Sequence, residues 1–137
     1  MRIVADTNVL VSALIFPGGP PEALYRLVLE ERLVLVTSRS LLAELGRVLT
    51  EKFGWQPERA EEAVEQLVRL AEIVEPRGTL AVIATDPAVD RVLEAAAEGE
   101  VDAIVSGDRH LLELEAWHGI AIQSPVAFLR DVDLWAR

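Results

Sequence analysis

Four acidic side chains stand where carboxylates are hard to explain as ordinary surface charge: Asp6, Glu44, Asp90 and Asp108. Asp6 directly follows the apolar run Ile3-Val4-Ala5, and Asp108 follows Ala103-Ile104-Val105 after a short turn at Gly107. Each therefore sits where a short strand ends. Glu44 shares a helical face with Leu41, Leu45 and Val48, and Asp90 falls at helical spacing among Val89, Leu93, Ala96 and Ala97. A carboxylate on an apolar face is costly unless it is paired, hydrogen-bonded or bound to a metal. Carboxylate oxygens gathered at one point are hard ligands, suited to Mg²⁺ or Mn²⁺. Such an ion makes its bound water a better nucleophile. Each acid also has a plainer reading. Asp6 and Asp108 can cap the helices that begin at Asn8 and Arg109, and Glu44 and Asp90 lie near helix starts, where negative charge is favoured. The chemical reading rests on convergence of the four.

The elements that would bring them together alternate along the chain. Arg2 to Ala5 reads as a strand and Asn8 to Ile15 as a short helix. After the turn Phe16-Pro17-Gly18-Gly19-Pro20, a helix starts at Pro21. Leu33 to Val36 has the unbroken apolar character of a parallel strand covered on both faces. Ser38 or Ser40 caps a helix through Leu49, and Pro57 to about Glu72 is the clearest amphipathic helix. A third strand is expected between Ile73 and Ala84. Asp86-Pro87 opens a helix ending at Gly99, with Asp86 as its cap. Ala103 to Val105 is a strand, Leu111 to Trp117 reads as helical, Ile120 to Ile122 is a fifth strand, and Ser124-Pro125 starts a last helix through Leu129. Strands separated by helices predict a mostly parallel sheet of about five strands with helices on both faces, in one domain over residues 1–137. Ligands of such sheets bind at the carboxyl ends of the strands, near a switch in strand order. Both Asp6 and Asp108 lie on that edge. Asp102 precedes its strand and belongs at the opposite edge, while Glu58, Glu61, Glu62 and Glu65 form a solvated helix face.

Bulk properties narrow the field. The 137 residues carry a formal charge of −10, with 13 basic and 23 acidic side chains. An acidic chain lacks the basic footprint of passive nucleic-acid binders, so a nucleic-acid substrate requires bound cations to offset repulsion. There is no cysteine, which excludes disulfides and thiolate metal sites. No signal peptide is read before the first strand, and the longest apolar stretch, Val9 to Phe16, is too short to span a bilayer. A cytoplasmic protein with no membrane partner is expected. Rival chemistries lack their residues. A phospho-acceptor receiver domain needs adjacent acids after its first strand and a late lysine, but Lys52 is the only lysine. A haloacid-dehalogenase-like phosphatase needs a second aspartate where Asn8 stands. No Gly-x-Gly-x-x-Gly follows a strand, which argues against dinucleotide binding.

Taken in order, the motifs resemble the PIN-domain family, and within it the toxin branch of the toxin–antitoxin nucleases. The resemblance runs through Ile3-Val4-Ala5-Asp6-Thr7-Asn8, Leu41-Leu42-Ala43-Glu44-Leu45, Asp86-Pro87 to Asp90-Arg91-Val92-Leu93, and Val105-Ser106-Gly107-Asp108-Arg109-His110. Two positions depart from the pattern. Ala88 and Val89 stand where relatives often carry acids, and the region after the fourth motif offers His110 and Leu112 in place of a fifth acid. The resemblance implies a three-layer α/β/α fold. It implies metal-dependent cleavage of single-stranded RNA, with Asp6, Glu44, Asp90 and Asp108 holding Mg²⁺ or Mn²⁺. Asp6 and Asp108 are then the primary ligands, Asp90 ligates or positions a second ion, and Glu44 acts through water or as a base. Asn8 and Ser106 are candidates for orienting ligands or a phosphate. Arg91, Arg109 and His110 are candidates for meeting the RNA backbone, with solvated surface charge as the alternative. The resemblance further implies a small antitoxin protein as partner, and a homodimer. A non-catalytic interaction module on the same fold is the competing reading.

Overall fold

A computed structural model describes residues 1–76 and 87–132. Six strands form one sheet in the order β3-β2-β1-β4-β6-β5. β1 (Arg2–Ala5), β2 (Val34–Ser38), β3 (Glu72–Val74), β4 (Ala103–Val105) and β6 (Ile120–Gln123) run parallel, and β5 (Ala116–Trp117) pairs antiparallel with β6. The described residues form seven helices: α1 (Thr7–Ile15), α2 (Pro20–Leu29), α3 (Arg39–Glu51), α4 (Pro57–Leu70), α5 (Pro87–Gly99), α6 (Arg109–Leu114) and α7 (Pro125–Asp131).

Strand alternation divides the core in two. Ile3, Ala5, Leu35, Ala103 and Val105 face a layer built from α1, α2, α3, α4 and α7, whose contributions include Leu10, Leu27, Leu45, Leu67 and Phe128. Val4, Val36, Ile104 and Ile122 face the other way, against Val92, Leu93 and Ala96 of α5 and Leu111 of α6. Both faces are covered, so the strands are apolar throughout and the architecture is α/β/α, as the sequence predicts. Each fully buried leucine contributes on the order of 1.5–3 kcal/mol.

At the amino edge a single residue ties three elements together. The Arg2 guanidinium donates to the Gly99 carbonyl through Nε (3.1 Å) and Nη2 (2.8 Å), and through Nη1 to Glu72 at the start of β3. The Arg2 backbone N–H donates to Asp102 Oδ2 at 2.8 Å, which places Asp102 at the edge remote from Asp6, as expected.

The structure corrects two expectations. Residues Ala116 and Trp117 are not helical; α6 stops at Leu114 and the chain turns back into a sixth strand. Glu115 takes φ of +60°, and His118 and Gly119 take +52° and +79°. Two consecutive positive φ values make the tight hairpin turn that joins β5 to β6. The helix from Pro57 ends at Leu70, and Glu72 opens β3 because its backbone joins Val36 in the sheet. The remainder of the expected third-strand region and the Asp86 cap lie outside the described residues.

Gly99 closes α5 where a side chain has no room, since a Cβ there would sit 2.6 Å from Val36 Cγ1. The left-handed turn after the helix therefore falls on Glu100, at φ of +49°. Gly99→Ala is expected to destabilise the fold by roughly 1–3 kcal/mol, the usual cost of overpacking. Urea unfolding measures it, and a variant as stable as the parent would show that β2 and α5 yield at this contact.

Candidate metal centre

The switch in strand order falls between β1 and β4, whose carboxyl ends carry Asp6 and Asp108. Backbone pairing continues one step past the strands, with Asp6 N–H donating to the Val105 carbonyl at 3.1 Å. Asp6 is 5% exposed, and Oδ1 accepts from the Val9 N–H at 2.9 Å, capping α1. Its Oδ2 accepts from the hydroxyl of Ser106, which is fully buried. That same hydroxyl oxygen accepts from the Asp108 backbone N–H at 2.9 Å. Asp108 Oδ1 accepts from the N–H groups of His110 (2.8 Å) and Leu111 (3.2 Å), capping α6. Both acids are therefore helix caps. A cap engages one carboxylate oxygen and aims the other, so capping and ligating are compatible roles for the same group.

Burial pushes the Asp6 carboxyl above the ordinary aspartate range. The Ser106 hydroxyl and the Val9 N–H oppose that shift, and the negative charge of Asp108 reinforces it.

Asp6 and Asp108 share the wall of one cleft of about 50 Å³ with Thr7, Asn8, Glu44, Ala88, Val89, Val92 and Leu111. This space exceeds a single water's share of liquid volume, about 30 Å³. Glu44 reaches the cleft from α3, which starts beside β1 because Ser38 caps it and accepts from the Leu41 N–H at 3.3 Å. Among the described residues no basic side chain lines the cleft. Three of the four sequence-predicted acids therefore share one cleft, and Asn8 joins them at its exposed rim.

Asp90 is placed differently. It is 3% exposed on the first turn of α5 and has an interaction partner, but it does not line the cleft. Val89 and Val92 do, and successive helix residues are turned by about 100° from one another, so Asp90 is rotated away from them. Among the described residues no three acidic or histidine side chains stand in ligating geometry. The donor chemistry suits a hard divalent cation. The side-chain positions supply the site's walls without a closed ligand cage.

The cationic candidates lie outside the cleft. Arg91 donates to Glu94 through Nε (2.6 Å) and Nη2 (2.8 Å). Arg109 pairs with Glu113 at 3.5 Å, with both groups exposed, and His110 is exposed. Sequence reasoning missed Thr7 as a lining residue and Glu94 as a buried acid, 7% exposed on α5. The signal for Glu94 was its place between Leu93 and Ala95, with Arg91 three residues before it.

Removing the Ser106 hydroxyl leaves the Asp108 N–H and an Asp6 oxygen without their shared partner. Ser106→Ala is expected to cost about 1–3 kcal/mol of stability. Burial disfavours the charged form of Asp6 and so makes stability depend on pH. In chelator, the Asp6 contribution is fully favourable below the ordinary aspartate range and is lost as pH rises through the higher folded value. Asp6→Asn keeps a capping oxygen and carries no charge. Its stability relative to the parent is therefore expected to increase with pH, measured by thermal melting in chelator from pH 4 to 8. A pH-independent difference would show that Asp6 does not carry this burial penalty.

Comparison with known proteins now has a geometry to stand beside. The family profile of the PIN domain matches residues 2–110, most of the chain. An uncharacterized protein of Methanocaldococcus jannaschii is 48% identical over 46 residues, a stretch that is 34% of this chain and 30% of that protein. The match thus spans under a third of that relative's length.

Proposed function

The chain belongs to the PIN-domain family, a nuclease-type fold, and from that premise we propose that it is a divalent-metal-dependent endoribonuclease cleaving single-stranded RNA. The observation that carries this reading is the Asp6–Ser106–Asp108 network at the β1/β4 switch point, with Glu44 on the same cleft. Asp6, Asp108 and Glu44 would hold Mg²⁺ or Mn²⁺, since all offer hard oxygen donors and no basic side chain of the described residues lines the cleft beside them. Such an ion supplies Lewis acidity, making water a stronger acid and offsetting phosphate charge. Ser106 holds Asp6 and the Asp108 backbone in fixed relation. The two caps hold Asp6 and Asp108 at the starts of α1 and α6 on the same edge, where helix N-termini favour their negative charge. Glu44, half-buried on its helix, is placed to accept a proton or orient water. Val89, Val92 and Leu111 form an apolar wall that limits bulk water at the cleft. Asp90 is assigned as the fourth acid on the motif resemblance, through its place one residue from Val89.

We further propose that the protein is the toxin of a toxin–antitoxin pair, acting in the cytoplasm as a homodimer with a small antitoxin protein. No helix among the described residues is long and apolar enough to cross a membrane. The resemblance supports the antitoxin and the dimer. The second reading, a non-catalytic module, is favoured by one observation: among the described residues Asp90 is not in the lining of the cleft that Asp6, Glu44 and Asp108 share.

A cleavage assay on defined single-stranded RNAs with Mg²⁺, Mn²⁺ or chelator separates the readings. The nuclease reading expects metal-dependent cleavage that Asp108→Asn and Glu44→Gln abolish and Ser106→Ala lowers about 10–100-fold. It also expects loss in Asp90→Asn. Cleavage unaffected by Asp90→Asn would confine the ligands to the three cleft acids. Absence of metal-dependent cleavage, with correct folding, would favour the module. Saturating Mn²⁺ at 100 times its Kd is expected to stabilise the parent by about 2.7 kcal/mol.

A further inference from the structure

We propose a second binding site at the amino edge of the sheet, a cleft that takes the guanidinium of an arginine side chain from a partner protein. The cleft measures about 380 Å³ and lies between the end of α5 and the β5–β6 hairpin. This is within the size range of small-molecule sites, about 300–1,000 Å³. Its lining includes Ala96 and Ala97, the buried Ile120, the aromatic pair Trp117 and His118, and Glu100. The two rings have centroids 4.2 Å apart and planes tilted by 45°.

Three properties select the ligand. An indole face attracts cations through its ring quadrupole. A carboxylate beside it favours a planar donor fork over a point charge. The chain's net charge of −10 disfavours anionic ligands, a nucleic acid included, where no cation offsets it. The same chain realises both halves of this recognition elsewhere. Arg59 lies over the Trp55 ring at 3.9 Å, and Arg91 meets Glu94 through two nitrogens. Within the cleft the Glu100 carboxylate accepts no hydrogen bond from the described residues; the nearby Arg2 guanidinium is hydrogen-bonded to Gly99 and Glu72. Glu100 and His118 both hold left-handed backbone conformations, at +49° and +52°, which non-glycine residues adopt at a cost.

The test is titration of the full-length protein at pH 8, where an unperturbed imidazole is neutral. The probes are N-acetyl-arginine amide, N-acetyl-lysine amide, guanosine and a short arginine-containing peptide, followed by the NMR signals of the Trp117 indole N–H and the backbone of His118 to Ile120. Arginine amide and the peptide are expected to shift these signals, with the lysine probe roughly tenfold weaker. Glu100→Gln, an exposed change, is expected to weaken arginine binding about tenfold, and Trp117→Leu to do the same if it folds. Equal response to lysine, a stronger response to guanosine, or unchanged binding in Glu100→Gln would each overturn the proposal. RNA cleavage is not part of the readout, so this outcome is independent of the nuclease reading.

Discussion

One buried serine hydroxyl holds the acidic edge together. Ser106 donates to Asp6 and accepts from the Asp108 backbone, and thereby fixes the ends of two parallel strands against each other. The arrangement brings negative charge into a place where burial already pushes the Asp6 carboxyl above the ordinary aspartate range. The fold tolerates this because each carboxylate also caps a helix and receives backbone N–H groups in return. Stability and chemistry therefore draw on the same atoms, and a substitution here changes both.

Much of this was legible from the residues. Ile3-Val4-Ala5 and Ala103-Ile104-Val105 announced fully covered strands, so the acids that follow them had to stand on the carboxyl edge. Glu44 among leucines announced a carboxylate with one foot in the core, and it does line the cleft. Asp90 shows where such reasoning stops. Helical spacing puts it on the buried side, and it is buried, yet a helix buries a wide stripe and only part of that stripe faces the cleft. Spacing gives the stripe; the helix's rotation about its axis depends on packing against β1, β2 and β4, which no local pattern encodes.

The hairpin was hidden for a different reason. Leu111, Leu112 and Leu114 continue a helical rhythm toward Trp117, and the reversal depends on Glu115 and His118 adopting conformations for which their side chains give no cue. The arginines beside the acids illustrate a further limit. Sequence proximity suggested a basic rim, whereas Arg91 and Arg109 bond glutamates of their own helices. Among the described residues the only charged groups lining the cleft are acidic, which sharpens its preference for a small cation over an anion approaching alone.

The Arg2 fastening at the opposite edge has a mechanical consequence. It grips the Gly99 carbonyl at the last turn of α5, while the first turn of that helix, with Val89 and Asp90, overhangs the acidic edge. A helix of this length measures about 20 Å, so one element reaches from the Arg2 edge to the acidic edge. Val92, Leu93, Ala95 and Ala96 pack it against the sheet between those ends. The two opposite edges of the sheet are thus spanned by a single packed helix, pinned at its carboxyl end by one guanidinium.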